Sequence, residues 1–201
     1  YFEHIMFKGT DALGTIDYQK EKVYLDSIEA EYDKLGMTID ANERRQIQLK
    51  INELSLKAAE YAIPNELDRI IQEMGGTSVN AFTSYDCIAY YNSFPAGQME
   101  KWLELYSHRF INPVFRMFQS ELETVYEEKN MYADNMSTPF LETLLKELFT
   151  GTPYGDQTIL GTAEHLKNPS LSKMRDYFET DYVPNNMALI LTGNFYPDSV
   201  S

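Results

Sequence analysis

Apolar positions recur at helical spacing through most of this chain. The opening stretch Tyr1–Lys8 is rich in apolar residues and stops at Gly9, which predicts a short helix with a glycine end. From Asp17, residues Leu25, Ile28, Tyr32 and Leu35 follow one another at steps of three, four and three, up to Gly36. Asp40 and Glu43 then form a capping-box pattern. Behind it Ile47, Ile51, Leu54, Ala58 and Tyr61 recur at steps of four, three, four and three. Two such stripes joined by a short turn predict an antiparallel helical hairpin. Each stripe is narrow and the rest is charged, so the hairpin is expected to rest on the domain rather than form its core.

Pro64 stands where another helix begins, with Leu67, Ile70, Ile71 and Met74 as its inward face and Gly75–Gly76 as its end. Thr77–Ser84 and Cys87–Ser93 are rich in aromatic and β-branched residues around Tyr85–Asp86, and read as a β-hairpin. Met99, Trp102, Leu103, Tyr106 and Phe110 mark a helix that ends near Asn112–Pro113. A long helix from Met117 to Ala133, a shorter one over Phe140–Phe149 and a loop over Thr152–Gly161 follow. Asn168 with Pro169 opens a helix through Phe178, and Met187–Thr192 reads as a last strand closed by Gly193. The pattern predicts an α+β fold with an antiparallel or mixed sheet covered by helices. Residues 1–201 are expected to form one domain, with 14–61 as an inserted helical hairpin.

Composition narrows the function. The 201 residues hold 17 Lys and Arg against 31 Asp and Glu, a formal charge of −14. That balance argues against a nucleic-acid partner, because phosphate recognition needs clustered cations, and against an anionic membrane surface. A hydrophobic fraction of 43% excludes a disordered chain. No apolar run approaches the roughly 20 residues of a membrane span. The single cysteine, Cys87, excludes an internal disulfide. The chain opens at Tyr1 without an initiator Met, so it reads as a piece whose targeting segment would lie upstream.

Three histidines are present, His4, His108 and His165. His108 beside Arg109 at a helix end and His165 in a charged helix read as capping or surface residues. His4 follows Glu3 directly, and a ligand four positions before it would share its helical face. That position is the one ahead of Tyr1. In the long helix Phe118, Leu122 and Val125 form the inward stripe, so Glu123 and Glu127 point away while Glu121 and Glu128 flank it. Carboxylates on the edge of an apolar face need a partner, and a cation is the natural one.

The segment Phe2-Glu3-His4-Ile5-Met6-Phe7-Lys8-Gly9-Thr10 resembles the zinc-site segment of the pitrilysin/insulinase metallopeptidases, whose inverted motif is His-x-x-Glu-His. Gly75–Ser84 is similar to the glycine-led substrate-side strand of that family, and Glu121–Glu128 to its distal-glutamate helix. Tyr154-Gly155, Gly161-Thr162 and Tyr182–Asn186 match its later landmarks in order. His4 and Glu128 stand 124 positions apart, and without the 48 residues of 14–61 the gap of 76 matches the family's spacing.

The resemblance implies a processing-peptidase-like half that binds Zn²⁺ through His4 and Glu128, with Glu3 as general base. Glu121 is implied to orient a ligand from behind. The motif's first histidine would immediately precede Tyr1, outside this chain. The implied reaction is hydrolysis of peptide bonds in unstructured peptides or proteins by metal-activated water. Asn80, Ala81, Phe82 and Thr83 would offer a strand edge to an extended peptide, whereas without the motif they read as an ordinary hairpin strand. A homologous C-terminal half or partner subunit is implied to complete the substrate enclosure, and similar bacterial members lean toward the periplasm. This chain alone, with two of three ligands, is expected to be inactive. The alternatives are a catalytically inactive relative that presents substrate, and an acidic interaction module.

Overall fold

In the computed structural model, which describes residues 1–135, 137–162, 166 and 169–196, helix α1 is a single turn, Phe2–Ile5. It is shorter than the expected eight residues. Past Ile5 the chain tightens, with Phe7 N–H donating to His4 O and Lys8 N–H to Ile5 O, and it leaves the helix at Gly9 (φ 93°).

Helices α2 (Tyr18–Met37) and α3 (Ala41–Ala59) form the expected antiparallel hairpin. Asp17 caps α2 by accepting from Lys20 N–H at 3.2 Å, and Asp40 caps α3 by accepting from Glu43 N–H at 2.8 Å. Gly36 does not stop α2. The turn is stapled instead by Arg44, whose Nη1 donates to Leu35 O and Thr38 O at 2.6 and 2.9 Å. The hairpin is not an ornament on the domain. Its residues Ile28, Tyr32, Leu35, Ile47, Ile51, Leu54 and Ala58 are seven of the ten buried members of one core cluster, which closes on Ile5, Phe118 and Leu171. Each stripe is narrow, but two narrow stripes facing one another exclude water as well as one wide stripe does.

Helix α4 (Glu66–Glu73) follows Pro64, after Asn65 in the left-handed region (φ 55°). Strands β1 (Thr77–Thr83) and β2 (Ile88–Ser93) pair antiparallel, with Asn80 opposite Tyr91 and Thr83 opposite Ile88. Helix α5 (Met99–Ile111) packs Trp102, Leu105 and Tyr106 on Leu67 and Ile71 of α4, and Val79 and Tyr90 of the strands close this second cluster. Then come α6 (Phe118–Ala133), α7 (Ser137–Leu148), α8 (Pro153–Asp156) and α9 (Leu171–Asp181). Ser170 caps α9 by accepting from Lys173 N–H. Asn168 and His165 lie outside the described residues.

The fold is α+β, as expected, but its sheet is smaller. Among the described residues the sheet has two strands, β1 and β2, and Met187–Thr192 is not a strand. A strand exists only through the ladder of a neighbour, and here Leu189 and Ile190 stand exposed. No helix among the described residues is long and apolar enough to cross a membrane.

Candidate metal centre

Helix α1 sits on the seam between the two cores, with Ile5 in the first and Phe7 against the second. Phe2 is buried in a cage of rings from Phe115, Tyr177, Phe178 and Tyr182, with centroids 4.7–6.1 Å away. Burying Phe2, Ile5 and Met6 turns Glu3 and His4 toward a half-exposed surface. Along α6, Phe118, Glu121 and Val125 are buried, Glu128 is half-buried, and Glu123 and Glu127 are exposed.

These two helices meet at His4. Its Nδ1 lies 3.1 Å from Glu121 Oε2, and its Nε2 lies 3.8 Å from Glu128 Oε2. An ionised carboxylate only accepts, so the Glu121 contact is made by an Nδ1–H, and Nε2 is left facing Glu128. Lys8 Nζ holds the other oxygen of Glu121 at 2.5 Å. Burial pulls the Glu121 carboxyl upward, yet the bonds from His4 and Lys8 and the Lys8 charge outweigh it and keep its pKa below the ordinary carboxylate value.

The 3.8 Å gap between Nε2 and Glu128 is too long for a hydrogen bond. It is close to the roughly 3.4 Å that separates two ligands each about 2.0–2.1 Å from a tetrahedral zinc. The donor set fits zinc in type, an oriented imidazole nitrogen and a carboxylate oxygen. Among the described residues no group of three or more His, Cys, Asp or Glu side chains is arranged to hold a metal ion.

Glu3 accepts a hydrogen bond from the Thr83 hydroxyl of β1. Along β1, Val79, Ala81 and Thr83 are half-buried while Asn80 and Phe82 are exposed, so the four strand residues picked from sequence divide between two faces. Among the described residues β1 pairs only with β2, through one of its edges. Tyr1 stands directly ahead of α1 with its ring 5.6 Å from that of Phe118, so the chain enters α1 against the helix that carries Glu121 and Glu128.

Sequence reasoning missed Lys8, although its spacing of four from His4 was a cue to a shared side. It also missed Arg109, which is buried between the Phe7 and Tyr90 rings, 4.4 Å from each centroid, and donates through Nε to Met6 O at 2.8 Å. His108 has a role at the same junction: its Nδ1 lies 2.9 Å from Thr10 Oγ1, where the loop after α1 turns.

The family model for insulinase (Peptidase family M16) matches residues 50–162. The chain belongs to the insulinase family of peptidases. The match opens inside α3 and covers β1 and the α6 glutamates, downstream of Glu3 and His4. The chain is 24% identical over 164 residues to the zinc protease PqqE of Helicobacter pylori, covering 80% of this chain and 36% of that protein. It is 29% identical over 138 residues to the zinc protease YmxG of Bacillus subtilis, covering 66% and 31%. With the mitochondrial-processing peptidase subunit beta of Dictyostelium discoideum it shares 24% identity over 137 residues, covering 67% and 29%. The chain thus spans about a third of the length of these curated relatives.

Proposed function

We propose that this chain carries the metal-binding and water-activating part of a zinc-dependent endopeptidase. His4 and Glu128 are the zinc ligands, Glu3 is the general base, and Glu121 orients His4. The observation that carries this reading is one imidazole contacted from both nitrogens by carboxylates more than a hundred positions away, at 3.1 and 3.8 Å. A bound zinc would polarise the scissile carbonyl and lower the pKa of a water toward about 7.

The chain's own side chains do the rest. Glu121 accepts from Nδ1–H and so keeps Nε2 free and aimed. The Thr83 hydroxyl fixes one oxygen of Glu3, leaving the other to take a proton from the attacking water and return it to the leaving amine. The edge of β1 away from β2 pairs with an extended peptide backbone over Asn80, Ala81, Phe82 and Thr83, which favours unstructured substrates. A residue ahead of Tyr1 would stand four positions before His4, on its helical face, the place for a third ligand of the inverted motif. A homologous second half or a partner subunit closes over the substrate. By itself, with two ligands, the chain is expected to take up zinc weakly and to hydrolyse little.

The test uses the longer protein with a flexible peptide substrate. Glu3→Gln is expected to lower kcat about 10²–10⁴-fold while zinc content stays unchanged. Hydrolysis at the parental rate would contradict the role of Glu3. Peptide binding with neither zinc nor hydrolysis would identify the protein as the non-catalytic, substrate-presenting relative instead.

A further inference from the structure

We infer that the α2–α3 hairpin positions the metal centre through one buried arginine, Arg116, and that Glu21 of α2 holds that arginine in place. The inference rests on the metal reading of His4 and Glu128. Arg116 lies in the link between α5 and α6, a lone charge in the apolar run 113–118. Its side chain is 2% exposed and that of Glu21 is fully buried. The pair is bidentate, Nε to Oε1 at 2.8 Å and Nη2 to Oε2 at 3.0 Å. The remaining donors are used on the loop that follows α1: Nη1 donates to Lys8 O at 2.7 Å and Leu13 O at 2.9 Å, and Nη2 to Thr10 O at 2.8 Å. All five N–H groups of the guanidinium are thereby engaged.

The loop is shaped around this group. Gly9 (φ 93°) and Gly14 (φ 80°) take backbone conformations that disfavour side chains. A Cβ on Gly14 would stand 2.8 Å from Arg116 Nη1 and 2.6 Å from Lys8 O. Lys8, whose carbonyl Arg116 fixes, reaches with Nζ to Glu121, and Glu121 holds His4 Nδ1. A continuous series of short contacts therefore runs from Glu21 through Arg116, Lys8 and Glu121 to His4. Lysine cannot replace Arg116, because three donors on one point charge do not reach Glu21 and three carbonyl groups at once. Glu21 and Arg116 are positioning residues: neither touches the imidazole or the Glu128 carboxylate in any contact of the structure.

The test reads the ¹⁵N ring signals of His4 in the metal-free chain, followed by Zn²⁺ titration. Glu21→Gln is expected to move His4 away from the single Nδ1–H tautomer and to weaken zinc about tenfold, the lower end of the effect of removing an orienting partner. Leu54→Ala, in the hairpin core and outside the series of contacts, is expected to lower stability and leave the ring signals as in the parent. Ring signals in Glu21→Gln identical to the parent would overturn the inference. Should that variant not fold, Glu21→Asp keeps the charge but shortens the reach, and is read by the same two outcomes. Ring signals that respond to Glu21 while no variant takes up zinc would support the hairpin coupling and remove the metal reading. Zinc uptake indifferent to Glu21 would keep the metal reading and remove the coupling.

Discussion

Glu21 with Arg116, and Glu121 with Lys8 and His4, both join a helix carboxylate to cationic or imidazole groups from a distant stretch, but their surroundings differ. The first pair is dry, with side chains 0% and 2% exposed and every guanidinium donor used. The second is wetter towards its outer end. Glu121 and Lys8 keep 11% and 17% of their side-chain surface and His4 29%, and beyond His4 stands Glu128, 39% exposed and 3.8 Å from Nε2. A dry pair with every guanidinium donor used offers no exposed atom to a ligand and serves to lock a loop. A partly satisfied pair at the surface keeps Nε2 and a carboxylate oxygen available. The same chemistry thus holds the scaffold in one place and, on the proposed reading, leaves donors for a metal in the other.

The widest gap between the two regions should appear in stability. Arg116→Met leaves Glu21 buried without a partner and is expected to cost about 3–5 kcal/mol, read by urea unfolding; a loss near zero would erase the distinction. Glu121→Gln weakens the hydrogen bonds from His4 and Lys8 and is expected to cost less, about 1–3 kcal/mol, while zinc binding falls about 10–100-fold. Unaltered zinc affinity would mean that Glu121 does not orient His4. Lys8→Met keeps the aliphatic stem and is expected to cost about 1–2 kcal/mol, with a smaller drop in zinc affinity than Glu121→Gln. Smallest of all is Lys22→Ala. It removes an exposed pair with Asp26 at 2.6 Å, and the change should stay under about 0.5 kcal/mol. A larger effect there would show that surface pairing, not burial, governs the comparison.

The helical half of this architecture was legible in the sequence because its information is local. A period near 3.6 marks α2, α3, α5 and α6, and the same geometry separates exposed Glu123 and Glu127 from Glu121 and Glu128. What could not be read depends on pairing across long separations. Met187–Thr192 has the composition of a strand, but composition supplies no neighbour to bond with. The narrow stripes of the hairpin look peripheral until they are set face to face over Phe118 and Leu171. Glu21 looks like one more charge on an acidic helix, and only its meeting with Arg116, 95 positions later, accounts for its burial. At the candidate centre the motif resemblance pointed to His4, Glu3 and Glu128. The Lys8 contact with Glu121 and the Thr83 bond to Glu3 emerged from the fold.

The most direct measurement of the central claim is a zinc titration of this chain extended by one histidine ahead of Tyr1, with and without Glu128→Gln. The account predicts one zinc per chain, bound at least about 100-fold more weakly once the Glu128 carboxylate is lost from the metal's ligands. Equal affinity in the two proteins would contradict a metal held between α1 and α6.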